Sequence, residues 1–242
     1  MTPLPAKSRR KPAPKTSEVV ETAELPAARG RKPGSRAVGR PTGEGGDLRA
    51  RLLDVAVSCF ARQGIAASTL REIAQEAGVN PALVHYYFGD KLQLQQAVIS
   101  ERLMPVFAEV RNATLQGGDD ISSVIAGFVR GMCETVDKHP WLPPLWVREV
   151  LCEGGALREL LFTTMAPQMP QILAAKFAQA QADGQLNREL DPRLLVASLI
   201  GLTLFPAAGA PIWRRLFDAD DIDAVAMKNH AIALLDTGIG VP

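Results

Sequence analysis

The chain has 242 residues, 47% of them apolar, and a formal net charge of +1, enough for one large or two small domains with a buried core. No apolar run approaches a bilayer span and no apolar h-region follows the basic N-terminus, which points away from a membrane protein and a secretory signal. Cys59, Cys133 and Cys152 lie far apart in apolar helical patterns and read as buried free thiols in a reducing cytoplasm.

The near-neutral total conceals an asymmetry. Residues 1–46 carry ten Lys and Arg against four Glu, a net of +6, which leaves −5 for the rest. A basic arm on an acidic body suits an anionic polymer as partner, and equally a solvated spacer. Seven prolines, six glycines and no aromatic residue cannot bury enough apolar surface to offset chain entropy, so disorder is expected over 1–46. Within the arm, "RGRKPG" (Arg29–Gly34) and "GRPTG" (Gly39–Gly43) resemble the Arg-Gly-Arg-Pro cores of AT-hooks. That likeness would bring Arg31 and Arg40 into a minor groove, and Arg29, Arg31, Lys32, Arg36 and Arg40 are the expected DNA-binding residues of the arm; a plain basic linker is the alternative.

From Asp47 onward the chain reads as helix. Leu48, Leu52, Val55, Ala56, Cys59 and Phe60 recur at helical spacing up to Gly64. In "STLREIAQEAG", Thr69 and Glu72 have capping-box spacing, and Gly78 stops the run. Asn80 as N-cap and Pro81 in first position start a short helix reaching about Phe88, and Asp90 caps the next after Gly89. Pro105 inside that following helix is expected to kink it. Further helices are expected at roughly 120–136, 140–152, 156–182, 192–205 and 221–235. No alternating strand pattern competes, so the fold class is all-α.

Two short helices joined by a tight glycine turn have the signature of a helix-turn-helix, whose second helix lies in the major groove. On Pro81–Phe88, helical geometry turns Val84 and Phe88 inward and leaves Ala82, Leu83, His85, Tyr86 and Tyr87 on the other sides. Hydroxyls suit phosphates, and planar or methyl surfaces suit thymine methyls, so an aromatic cluster fits a duplex. Partly buried packing is the alternative for Tyr86 and Tyr87.

Residues 47–94 closely resemble the DNA-binding domain of the TetR/AcrR family of bacterial transcriptional regulators. The pattern "T-x-x-x-I-A-x-x-A-G-V-s-x-x-x-x-Y-x-Y-F-x-x-K-x-x-L" is met by Thr69, Ile73, Ala74, Ala77, Gly78, Val79, Tyr87, Phe88, Lys91 and Leu94. His85 replaces the first tyrosine. The resemblance implies DNA-facing roles for Thr69, Arg71, Pro81, Ala82, Leu83, His85, Tyr86, Tyr87 and Lys91. It implies an N-terminal three-helix helix-turn-helix domain over 47–94 and a helical ligand-binding and dimerisation domain over 95–242. Asp47–Lys91 holds five basic and five acidic residues, which leaves much of the counterion-release affinity to the arm.

In the second half, an aromatic and methionine set suggests a pocket from Phe128, Met132, Trp146, Phe162, Met165 and Met169, with Glu149 as a polar group; plain core is the alternative reading. The helix beginning at Asp191 is apolar nearly all round. Ala197, Ile200, Gly201 and Leu204, with Val225 and Ile232 from the last helix, are the expected dimer interface. A phosphate-binding glycine loop, a nucleophile elbow and H-E-x-x-H are all missing, and His85, His139 and His230 have no metal-ligand spacing. No enzyme, cofactor or metal is implied. The expected function is a cytoplasmic, nucleoid-associated transcriptional regulator, a repressor that binds a palindromic double-stranded DNA operator as a homodimer and responds to a small-molecule inducer. An architectural DNA binder relying on the arm is the alternative.

Overall fold

A computed structural model describes residues 44–116, 118, 120–165 and 169–238; Arg29, Arg31, Lys32, Arg36 and Arg40 lie outside the described residues. Every regular element among those described is a helix. The first four are α1 (Glu44–Gln63), α2 (Leu70–Glu76), α3 (Pro81–Phe88) and α4 (Lys91–Val98). Their starts follow the local chemistry. The Thr69 hydroxyl accepts from the Glu72 N–H at 3.2 Å while the Glu72 carboxylate accepts from the Thr69 N–H at 2.9 Å, a complete capping box. Asn80 accepts from the Ala82 N–H at 2.9 Å and Asp90 from the Gln93 N–H at 2.8 Å. Gly78 (φ 69°) and Gly89 (φ 75°) take the left-handed conformation that closes the α2–α3 and α3–α4 turns.

A first core joins Leu52, Ala56 and Phe60 of α1 to Ile73, Val84, Phe88 and Leu94. It does not stop at α4. Leu145, Val150 and Leu157, from α7 (Leu142–Trp146), its π-helical continuation (Val147–Leu151) and the following loop, belong to the same cluster. A second core packs α5 (Met104–Leu115), α6 (Ile121–Lys138), α9 (Met169–Ala182), α10 (Pro192–Ala208) and α12 (Ala224–Gly238) around Val110, Phe128, Phe177, Leu199 and Leu235.

Three expectations need revision. The single helix over 156–182 is instead a short α8 (Arg158–Leu160), a π-helical turn (Leu161–Met165) and α9. Pro170 takes the second position of α9, where its missing N–H costs nothing. A helix not expected between those over 192–205 and 221–235, α11 (Ala210–Phe217), follows α10 across a 68° bend at Gly209. The Trp213 indole N–H fixes the bend by donating to the Pro206 carbonyl at 2.7 Å. Finally, Cys59 is buried but Cys152 is exposed; burial and the Glu76 carboxylate push the Cys59 thiol up to about 11. No single described helix is long and apolar enough to cross a membrane.

Pro105 acts before its own position. A proline cannot donate to the carbonyl four residues back, and the stretch between α4 and α5 opens into a π-helical turn, Ile99–Leu103. The Glu101 carbonyl, which Pro105 cannot serve, accepts instead from Arg102 at 3.1 Å. The same turn is tied to α1 by two ion pairs, Arg49–Glu101 at 2.5 Å and Arg102–Asp54 at 2.6 Å. Hydrogen bonding from Arg49 holds the Glu101 carboxyl below its ordinary value of 4.5. A carboxylate with a depressed folded-state pKa stabilises above its unfolded value and loses that contribution as pH falls through the folded one. Both partners are partly solvated, so Glu101→Gln should cost no more than about 1 kcal/mol near neutral pH. Denaturant melts should show the two proteins converging below about pH 4.5; a difference that persists in acid would assign the cost to packing.

Candidate nucleic-acid interface and ligand cavity

The helix-turn-helix presents α3 with its inner side closed. Val84 and Phe88 are buried against the first core, and Arg49 of α1 lies 5.0 Å from the Phe88 ring centroid. Outward stand Pro81, Ala82, His85 and Tyr86, with Thr69 and Arg71 exposed beside them at the start of α2. Tyr86 is 73% exposed, a large aromatic surface with no partner but an edge-on contact to Tyr87 at 5.3 Å. Tyr87 and Leu83 are half-buried, and Tyr87 packs against the core. The aromatic stretch is therefore divided between solvent and core.

His85 and Lys91 are less free than their exposure suggests. The His85 ring places Nδ1 2.6 Å from the Gly89 carbonyl. A carbonyl only accepts, so Nδ1 carries a proton in this contact, which leaves Nε2 as the ring nitrogen not engaged by the protein. Lys91 donates to the Ala66 carbonyl at 2.7 Å, tying α4 to the loop after α1. The other cations of this region are similarly engaged: Arg51 with the Ala77 carbonyl at 2.7 Å, Arg62 with Glu76, and Arg49 with Glu101. Among the described residues, Arg71 alone of the five makes no intramolecular hydrogen bond or ion pair.

Beneath α5 lies a cavity of about 440 Å³, within the size range of small-molecule sites, about 300–1,000 Å³. Of the residues read from the sequence, Phe128, Met132, Trp146 and Met169 line it. Ile200 and Leu204, read as interface, line it too; Leu204 is 4% exposed and part of the second core. The sequence reading passed over the wall supplied by α5, where Met104, Phe107, Arg111 and Leu115 share one stripe. Their three-to-four-residue spacing was visible, but apolar residues such as Met104, Phe107 and Leu115 at helical spacing look the same in any core. Phe162 points into solvent, and the Met165 side chain lies outside the described residues. Ala197, Gly201 and Val225 are exposed on this chain. Ile232 is half-buried beside a small cavity of about 80 Å³ under Ile121 and Leu186.

Glu149 is elsewhere than the pocket. Its carboxylate, 5% exposed, accepts from the Ile65 N–H at 2.8 Å and the Ala156 N–H at 2.9 Å. It is a strut between the loop after α1 and the loop after α7.

A helix-turn-helix with one aromatic face open, carried on a helical body that encloses an apolar cavity, defines a DNA-binding regulator of transcription. Comparison with known proteins agrees. The family model described as "Bacterial regulatory proteins, tetR family" matches residues 52–98. The HTH-type transcriptional repressor KstR2 of Rhodococcus jostii (strain RHA1) is 30% identical over 186 residues, 77% of this chain and 89% of that protein. The HTH-type transcriptional regulator SrpR of Pseudomonas putida is 38% identical over 63 residues, 26% of this chain and only 30% of SrpR. Among solved structures, the ketosteroid transcriptional regulator KstR2 of Mycobacterium tuberculosis superposes with a TM-score of 0.65 at 19% identity, covering 86% of this chain and 100% of that one. The SmeT–triclosan complex gives 0.54 at 19% identity, covering 80% and 92%. This chain belongs to the TetR family of bacterial regulatory proteins. It is a transcriptional regulator and not an enzyme.

Two predictions separate the surfaces. Tyr86→Ala should weaken specific DNA binding by about 1–3 kcal/mol with unchanged helix content, whereas Tyr87→Ala should also lower thermal stability because its ring packs on the core. Binding titrations beside circular-dichroism melts decide this; full affinity in Tyr86→Ala would remove that ring from the interface. Glu149→Gln keeps one acceptor but sets an amide N–H₂ against the other main-chain N–H. It should destabilise the fold by about 1–3 kcal/mol, and an unchanged melting temperature would show that solvent replaces the carboxylate.

Proposed function

We propose that the protein is a homodimeric repressor that binds a palindromic operator and releases it when a small apolar molecule occupies the α5 cavity. The observation that carries this reading is chain continuity: one wall of the cavity is α5, which runs through the Ile99–Leu103 turn into α4 of the helix-turn-helix. A ligand that shifts α5 acts on α4 through an element already clamped to α1. Coupling of about 1–3 kcal/mol is usual for such linkage. The triclosan complex of SmeT and the description of KstR2 as a ketosteroid regulator support a ligand-responsive reading for this fold. In this reading, residues 47–94 read DNA through Thr69, Arg71, Tyr86 and the outer face of α3, residues 95–242 bind ligand and dimerise, and the protein acts in the cytoplasm.

The dimer rests on exposure. Seven of the thirteen exposed large apolar side chains among the described residues fall between Leu194 and Leu234. On α10, Leu194, Ala197, Gly201 and Phe205 follow one exposed stripe. The small residues admit close helix approach, and a stripe this apolar is unfavourable in water unless covered. Phe205, 72% exposed, carries the test without disturbing the monomer core. Phe205→Arg should give a folded monomer in analytical ultracentrifugation that binds the operator weakly; a persisting dimer would move the interface. Footprinting tests the function itself. A regulator protects a discrete palindrome with half-sites about one turn or more apart, while diffuse protection would favour an architectural DNA binder.

A further inference from the structure

We propose that the cavity under α5 takes a monocarboxylate with an apolar body, its charge held at the rim by Arg111; this rests on the ligand-responsive reading above. Among the described residues, the lining is apolar apart from Arg111 and Thr163 and holds no acidic side chain. Among the described residues of the lining, Arg111 is thus the one charged group that an occupant meets.

The position of that charge is set by α5. Met104, Phe107, Arg111 and Leu115 succeed one another along a single stripe, each three or four residues on. Met104 and Phe107 are half-buried, whereas Arg111 and Leu115 are exposed. The stripe therefore runs from the interior of the cavity to its mouth, and the guanidinium stands at the mouth. An arginine there can lay its methylene stem on the apolar rim and keep its head in water while the site is empty. Nothing competes for it: among the described residues no carboxylate pairs with Arg111, and the acid nearest in sequence, Glu109, points to Lys138 at 3.7 Å.

Two features of the site select the anion. An apolar body of matching size gains burial, and a charge placed at the mouth escapes the cost of being carried inside. A single guanidinium matches a single negative charge, and its fork suits the two oxygens of a carboxylate. A phosphate monoester, with close to two charges, would bring one that no group here balances.

Dodecanoate and dodecanol, below their aggregation limits and at a pH where the acid is ionised, serve as matched probes of the full chain. Binding is read from tryptophan fluorescence, since Trp146 lines the cavity, and from calorimetry. The acid should bind about twofold to fivefold more tightly than the alcohol, the size expected of a partly solvated ion pair. Arg111→Gln should abolish that preference by weakening the acid alone, and Arg111→Lys should restore part of it. Arg130→Gln, at an exposed position of α6 away from the lining, should leave it intact. Equal affinities in the unaltered protein, a preference that survives Arg111→Gln, or one lost equally in Arg130→Gln would overturn the assignment of the charge while leaving a ligand cavity. Binding by neither probe would overturn the assignment together with the ligand-responsive reading.

Discussion

Glu149 accepts two main-chain N–H groups that belong to different parts of the chain, one of them 84 residues away. A buried carboxylate is costly unless hydrogen bonds replace its water, so the geometry around it is constrained. Gly64, beside Ile65, adopts φ 94°, and a Cβ there would meet both Arg148 and the Glu149 carboxylate at 3.1 Å. Gly155, on the other side, leaves no room for a Cβ against the Glu149 main chain. Both glycines are required by the approach of other residues to this one group. Leu145, Val150 and Leu157 then extend the first core from the helix-turn-helix into the body. The carboxylate fixes the register in which those apolar residues meet α1.

The other junction is built differently. Where Glu149 joins two segments by burial, the Ile99–Leu103 turn joins α4 to α5 by continuing the chain. Pro105 imposes the irregularity, Arg102 supplies the donor that the proline lacks, and the two ion pairs to α1 hold the result. These pairs are solvated and individually weak, while the strut is buried and costly to break. The proposed function would use that contrast: one contact that keeps the head on the body, and a second that yields to a ligand without unfolding either.

What the sequence made legible was local. The Thr69, Asn80 and Asp90 caps involve partners two or three residues away, so their spacing contains the whole interaction, and the structure reproduces all three. The inward pair Val84 and Phe88 followed from a clear period. Long-range assignments lacked such a signal. α10 is apolar on every side, so periodicity could not say that Leu204 faces a cavity and Phe205 faces solvent. Glu149 binds main-chain groups, which leave no side-chain pattern to match. The break in the 156–182 helix was the avoidable error, because Pro167 and Pro170 mark it in the sequence and neither suits a helix interior.

The charge of the head has a consequence for how it would meet a duplex. Four of its five cations are occupied within the protein, by Glu101, by Glu76 and by the carbonyls of Ala77 and Ala66. Each of these contacts must loosen before the same group can serve a phosphate fully, and that cost is subtracted from any counterion-release gain. In the proposed function, the head therefore has Arg71 as its one unengaged cation among the described residues and otherwise depends on polar and apolar surface: the Thr69 and Tyr86 hydroxyls, the exposed edge of His85 and the apolar face of Ala82. Such contacts discriminate among bases more than they attract any duplex. The ten basic residues of 1–46 are then the available source of sequence-independent attraction. On the proposed function, affinity and specificity would then fall to different stretches of one chain.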